Sequence, residues 1–402
     1  MPQIKFVDLA AQNAEIKADV ERNLARVHEK TAYVGGPAVA AFEEQFAEFL
    51  GARRVVGVGS GTDALRLALM ALDIGEGDEV ITTPMTFIAT AEAIVQAGAR
   101  PVFVDIDPVT RNISVPAIRR YLEAGCFSAA NGPKAIMPVH LYGLPGAMDS
   151  MRALADEYGL KIVEDACQAH GARVRVGGEW MRAGAVGAAG CFSFYPGKNL
   201  GAWGEAGAVA TNDGALADRI ALLRDHGRIS HYAHRECGYN ARLDAVQAAV
   251  LSAKLQRLEQ WNARRREIAE SYRKLLARTG VILPTEPEDA QSCYHLFVVQ
   301  SARRDALREA LIDNQIECGI HYPLPLHLQP ACGALGYRRG DFGDSERVAD
   351  TALSLPMHPH LRDAEVARVA EVVAGALKGG QSLFAGERYA HGAACIPPPR
   401  GE

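Results

Sequence analysis

The chain has 402 residues, 48% of them hydrophobic and 23% charged, enough for two or more folded domains around a large buried core. A net charge of −5, with no Lys/Arg block carrying interleaved aromatics, gives no surface for nucleic acid, so a phosphorylated ligand has to be held by local donors. No run of about 18 apolar residues is present to span a membrane, the start Met1–Asp8 lacks the pattern of a signal peptide, and the eight scattered cysteines form no Cys-x-x-Cys pair, which suits reduced thiols in a cytoplasm better than a disulfide framework or a zinc site.

Helix-like and strand-like stretches alternate over the first two thirds of the chain. Val39, Phe42, Phe46 and Leu50 recur at spacings of three and four and predict a helix over Pro37–Leu50. Arg54–Val58 reads as a strand, turned by Gly59-Ser60-Gly61-Thr62 into a helix from Asp63 to Leu72. A strand at Glu79–Thr83 is followed by a loop at Pro84 and a helix over Thr86–Ala97. Further strands are predicted at Pro101–Asp105, Ala135–Val139 and Leu160–Glu164, the last ending at Asp165. This alternation implies a largely parallel sheet with helices on both faces, whose ligands lie at the carboxyl ends of the strands. Gly59–Thr62, Pro84–Phe87 and Asp165 all occupy such ends. From Leu243 to Leu276 a long Arg- and Glu-rich helix reads as a connector. A strand at His295–Val299, a helix at Arg303–Asn314 and a Pro/His-rich loop at Tyr322–Pro330 follow. The expected division is a large ligand-binding domain over 1–250 with an N-terminal arm, a smaller C-terminal α+β domain over 251–380, and a poorly ordered tail over 381–402.

Lys198 stands out among the candidate site residues. It lies on a tight Pro196-Gly197 turn, preceded by Phe192, Phe194 and Tyr195 and followed by Gly201, Gly204 and Gly207, an apolar and sharply turning segment where a solvated lysine is not expected. Such a lysine has its pKa lowered and can act as nucleophile and base. Together with the strand-ending Asp165 it matches the needs of pyridoxal phosphate (PLP) chemistry: a lysine that forms a Schiff base, and an acid that keeps the pyridinium nitrogen protonated. The Gly59–Thr62 turn offers amides and a hydroxyl for a phosphate, and reads equally as an ordinary turn with Thr62 capping the helix. The glycine spacing in Gly57–Gly61 does not fit the dinucleotide loop, and no phosphate-binding Gly-Lys-Ser/Thr exists. Phe87, taken alone, reads as core. His170 reads as a hydrogen-bonded structural histidine, and Gly238–Asp244 as the boundary of the long helix.

In combination, Ser60-Gly61-Thr62-Asp63-Ala64-Leu65, Gly77-Asp78-Glu79-Val80, Thr86-Phe87, Val139-His140-Leu141-Tyr142-Gly143, Glu164-Asp165-Ala166, Phe192-Ser193-Phe194 with Lys198, and Gly238–Leu243 resemble the DegT/DnrJ/EryC1/StrS family of PLP-dependent sugar aminotransferases. The likeness runs from Phe6-Val7-Asp8-Leu9 to Ser354-Leu355-Pro356-Met357. It implies the aspartate-aminotransferase (type I) PLP fold, an α/β architecture, and a homodimer with active sites shared between subunits. By position it makes Lys198 the Schiff-base lysine and proton shuttle, and Asp165 the partner of the pyridine nitrogen. Gln168 would contact the ring's phenolic oxygen, and Phe87 would stack on the ring. Gly61, Thr62 and Ser193 would hold the phosphate, reached by Asn240 from the partner subunit. Some relatives carry histidine at the lysine position and act as dehydratases; Lys198 favours transamination. The implied reaction moves an amino group from L-glutamate, through the pyridoxamine phosphate form of the cofactor, to C-3 of a nucleotide-linked deoxy-keto-hexose for amino-sugar biosynthesis. Segments Phe194–Gly201 and His321–Gln329 resemble members acting on 3-keto nucleotide hexoses and make Tyr195, His321, Tyr322 and His327 candidate substrate contacts. Gly204-Glu205-Ala206-Gly207 departs from the commoner Gly-Asp-Gly-Gly. Alternatives within the fold are a keto-inositol aminotransferase or a maker of an aromatic amino acid starter unit; outside it stands a non-catalytic PLP-binding regulator. No metal is expected.

Overall fold

The computed structural model describes residues 3–378, and the expected tail at 381–402 lies outside the described residues. In chain order the strands are β1 (Arg54–Val58), β2 (Glu79–Thr82), β3 (Arg100–Phe103), β4 (Pro133–Ile136), β5 (Lys161–Asp165), β6 (Arg173–Val176), β7 (Glu179–Arg182), β8 (Ala189–Ser193), β9 (Gly207–Thr211), β10 (Ala290–Gln291), β11 (Phe297–Gln300) and β12 (Ala352–Leu355). The α-helices are α1 (Leu9–Lys30), α2 (Gly36–Leu50), α3 (Gly61–Ala71), α4 (Ala89–Gln96), α5 (Val115–Ala124), α6 (Met148–Tyr158), α7 (Gly214–Leu223), α8 (Ala245–Leu276), α9 (Arg304–Asp313), α10 (Gly343–Thr351) and α11 (Asp363–Leu377).

Seven strands form the central sheet in the order β1-β9-β8-β5-β4-β2-β3. The pairs β8–β5, β5–β4, β4–β2 and β2–β3 are parallel, whereas β9 runs antiparallel to both β8 and β1. Only β9 is reversed, giving the mostly parallel sheet of an α/β fold. Its strands are buried nearly throughout, as expected when helices cover both faces. One layer of core packs α2 and the start of α8 against β1 and β8, and another packs α3 and α7 against the opposite face. β11 and β12 form a separate two-stranded sheet under α9 and α11, and the far end of α8 enters that core through Ile268, Tyr272 and Leu276. The chain start returns to the same region, since Ile4 bridges Ile316.

Three sequence expectations shift at their edges. The helix expected from Thr86 begins at Ala89, because Thr86 spends its hydroxyl on Thr90 while Met85 N–H bonds the Thr83 hydroxyl. The helix expected from Asp63 begins at Gly61, and its cap is Ser60, whose side chain accepts from Asp63 N–H; Thr62 is not the cap. The long connector spans Ala245–Leu276, after Asp244.

Under the Lys198 segment lies an aromatic cluster. Phe46 is fully buried, stacks with Phe42 and Phe49, and meets Phe192 and Phe194 edge-on with ring centroids 5.1 and 5.4 Å away. Phe46→Ala should lower unfolding free energy by about 3–5 kcal/mol through lost burial and a residual cavity. Urea unfolding of the cofactor-free protein measures this, and a loss below about 1 kcal/mol would show that the cluster is not the support described.

Candidate active site

β5 delivers the central acid. Successive side chains on a strand face opposite ways, so Glu164 and Asp165 diverge. The Glu164 carboxylate points to the back, where it bonds His140 Nε2 at 2.8 Å and accepts from the amides of Gly184, Val186 and Gly187 at 2.7–2.8 Å. Gly146 N–H donates to His140 Nδ1, which makes Nε2 the protonated nitrogen. Burial would raise the Glu164 pKa, but the histidine and the amides outweigh it and hold the group ionised. Asp165 faces the carboxyl end of the sheet. Its Oδ2 accepts from the Thr90 hydroxyl at 2.8 Å and its Oδ1 from Cys167 N–H at 3.2 Å. Because Thr90 donates to the carboxylate, it accepts from Thr86 at 2.9 Å, and a two-hydroxyl relay orients the acid.

The Lys198 turn closes through its own backbone, Lys198 N–H donating to the Tyr195 carbonyl at 2.8 Å. The next residue anchors it: buried Asn199 donates to Asn262 of α8 and to the Cys293 carbonyl, both at 2.9 Å. Asn262 in turn donates to the His170 carbonyl at 2.8 Å, so one helix residue ties the lysine loop to the loop after Asp165. The Lys198 pKa is lowered by desolvation, against the opposing pull of Cys167 and Asp165.

Gly61 and Ser193 approach closely. A Cβ on Gly61 would lie 2.6 Å from Ser193 Cβ and 3.1 Å from Cys167 Sγ, so only glycine fits the first turn of α3 there. With Ser60 serving as cap, the Thr62 hydroxyl forms no hydrogen bond among the described residues. The α3 amino end, Thr62 and Ser193 thus make a cradle suited to a phosphate.

Gln168 links the remaining wall. Its Oε1 accepts from Tyr142 N–H at 2.7 Å and its Nε2 donates to the Tyr322 hydroxyl at 3.1 Å. The Tyr322 ring lies 6.0 Å from that of Phe87, which is 55% exposed at the mouth of the site. Tyr142 also donates its hydroxyl to the His321 carbonyl. His321 stacks on Phe6 and bonds Ser354 through Nδ1 at 2.8 Å. Tyr195 is 55% exposed beside the lysine turn.

Two expected site residues stand apart within the single chain. His327 is 2% exposed, bonds Glu346 of α10 at 2.9 Å through Nε2 and packs on Phe342. Its Nδ1 is buried and has no hydrogen-bond partner among the described residues. Asn240 is exposed, next to Ala241, whose carbonyl accepts from Gly59 N–H.

Three neutral histidines surround the lysine. Burial and the Lys198 charge push His170 down to about 3 and His321 down to about 4, and the same two causes hold His295 well below the usual imidazole range. His170 is packed against Phe192 and Phe194, and its buried Nε2 has no hydrogen-bond partner among the described residues. Thr90, Tyr142, Asn199 and His295 were not singled out from the sequence. Thr90 alone carried a signal, four residues after Thr86 on one helical face.

The DegT/DnrJ/EryC1/StrS aminotransferase family model matches residues 14–374. The Saccharopolyspora erythraea protein named erythromycin biosynthesis sensory transduction protein EryC1 is 44% identical, covering 93% of this chain and 100% of its own. The dTDP-3-amino-3,4,6-trideoxy-alpha-D-glucose transaminase of Streptomyces venezuelae is 43% identical over 92% of this chain and 96% of its own. A crystal structure of S. venezuelae DesV superposes with a TM-score of 0.90 at 41% identity, covering 95% of this chain and all of that one.

Each of the three histidines binds its proton more weakly folded than unfolded, where the pKa is near 6.5. Their contribution is therefore complete above about pH 6.5 and is lost as pH falls, that of His321 by about pH 4. His321→Asn should flatten the fall in urea midpoint between pH 7 and pH 4.5. An unchanged pH slope would mean that His321 is not held neutral.

Proposed function

Because the chain belongs to the DegT/DnrJ/EryC1/StrS aminotransferase family, we propose that it transfers the amino group of L-glutamate to the C-3 ketone of a nucleotide-linked deoxy-keto-hexose, in a homodimer whose two sites are each built from both subunits. The chain is a PLP-dependent aminotransferase. The observation that carries the substrate reading is the set of relatives of similar length named as transaminases of 3-amino or 3-oxo nucleotide sugars, joined to a site whose outer wall is aromatic and polar. A keto-inositol or a regulatory role is not favoured, since the relatives with regulatory names stand beside transaminases of similar identity.

The residues fit PLP. Asp165 is fixed by Thr90 and Cys167 and retains acceptor capacity for a ring nitrogen. Gly61, Thr62 and Ser193 form the phosphate cradle. PLP supplies the electron sink on which the amino group is carried between donor and acceptor. Lys198, its pKa lowered by burial, is the group that takes the proton from the donor carbon and returns it to the sugar carbon. Gln168 holds Tyr322 and the backbone of Tyr142, so the wall facing the substrate is set by one amide. Phe87 and Tyr195, both exposed in the single chain, flank the entrance. Trp203 and Tyr232 are also exposed, and large apolar side chains left open around a site suit burial by a second subunit. Asn240 would then reach the partner's phosphate cradle.

Lys198→Ala should lower turnover more than about 10⁴-fold, the upper end of what one acid–base group contributes, while the far-ultraviolet spectrum stays unchanged; normal turnover would remove Lys198 from the reaction. Assay against nucleotide-linked 3-keto hexoses and keto-inositols, with glutamate as donor, tests the substrate. Activity confined to a ketone without a nucleotide would overturn that assignment. Sharing of sites is tested by mixing Lys198→Ala with Asn240→Asp. Hybrid dimers should regain turnover, because one of their sites contains neither change; no gain after subunit exchange would place Asn240 in its own chain's site.

A further inference from the structure

Arg111 is almost completely enclosed, 3% exposed, at the turn that follows β3. Its backbone is left-handed, φ 65°, a conformation that glycine or asparagine adopts with less strain. Its Nη1 donates to the Val298 carbonyl on β11 at 2.6 Å. Its Nε is buried and has no hydrogen-bond partner. Nε and Nη2 form the side-on fork of a guanidinium, the edge that grips anions through two parallel bonds.

That arginine borders a cavity of about 20 Å³, room for one small occupant. Thr110, Tyr142, Thr285, Ser292 and Tyr294 contribute the other polar lining. None of them neutralises the guanidinium. Among the described residues no carboxylate lies within ion-pair distance of Arg111. Asp107 is turned to its own loop, where its Oδ1 accepts from Val109 N–H, Thr110 N–H and the Thr110 hydroxyl, and it forms no ion pair with Arg111. Glu286, beside the cavity, bonds Tyr294, Ser292 N–H and Arg273. The Tyr142 phenol is itself buried and donates to His321. A guanidinium stays protonated in proteins, and a desolvated charge without a counter-charge is strongly unfavourable. A water molecule could bond the fork but would leave the charge unbalanced.

We propose that the cavity beside Arg111 is a binding site for one monatomic anion, chloride under ordinary conditions, held by the Nε/Nη2 edge of Arg111. The Thr285 hydroxyl, which has no hydrogen bond among the described residues, is the second donor. The site lies behind the wall of the active centre, because Tyr142 lines it and also holds Gln168 and His321. Anion binding would thus brace the turn after β3, β11 and Tyr142 as one unit, independently of the amino-transfer reading.

Crystals of the holoenzyme grown or soaked in bromide test this directly. The expected result is an anomalous peak against the Arg111 fork, absent from Arg111→Met crystals. Thermal midpoints measured at constant ionic strength, with chloride replaced stepwise by gluconate, should rise with chloride in the native protein and stay flat in Arg111→Met. Density at the fork that carries no anomalous signal would identify water and overturn the proposal. So would an equal chloride response in Arg111→Met. If that variant fails to fold, the bromide peak and the chloride series on the native protein decide alone.

Discussion

The carboxylate of Glu164 is the fixed point of the molecule. It is buried without exposure, yet four donors converge on it, one imidazole and three amides of the loop before β8. A buried carboxylate is tolerable only when its lone pairs are filled, so the loop over 184–187 cannot drift from β5. That clamp sets the register of β8 against β5, pairing Asp165 with Cys191. β8 then carries Ser193 and, beyond it, the lysine turn. The alternation of the strand does the rest: with Glu164 locked to the back, Asp165 has to face the other way, toward Thr90.

Around that clamp, the site is assembled from loops that share supports. Asn262 on α8 reaches both the His170 carbonyl and, through Asn199, the lysine turn. Gln168 reaches Tyr142 and Tyr322. The acid, the lysine and the aromatic wall therefore come from distant parts of the sequence but rest on a few common amides. This is the arrangement a cofactor enzyme needs, because reacting groups must be preorganised before the substrate arrives.

Much of this was legible in the sequence. Strands β1, β2 and β5 were placed within a residue or so, since their apolar runs are bounded by clear turns. Gly59–Thr62, Pro84–Phe87 and Asp165 are expected at carboxyl ends of strands, and β1, β2 and β5 do end at Val58, Thr82 and Asp165. What stayed hidden is of another kind. β9 reverses direction, and nothing in Gly207–Thr211 alone signals orientation. α1 was not recognised, because its buried face is narrow: only Gln12, Ile16, Val20 and Val27 are enclosed among many charges. The bond of His327 to Glu346 is set by tertiary packing, and its proline- and histidine-rich segment gives no sign of it. His295 and Asn199 likewise depend on neighbours that no local pattern reveals.

The double attachment of Asn262 also constrains motion. α8 is continuous from the sheet core to the C-terminal core, and its middle is pinned to the lysine turn and to the loop after Asp165. A rocking of the β11–β12 unit over the entrance would therefore have to pivot beyond this asparagine, in the last turns of the helix and in the segment after Leu276. Tyr322 is bonded to Gln168 of the loop that Asn262 pins, so such a rocking would have to break that single amide contact before the aromatic wall could swing away from the lysine turn.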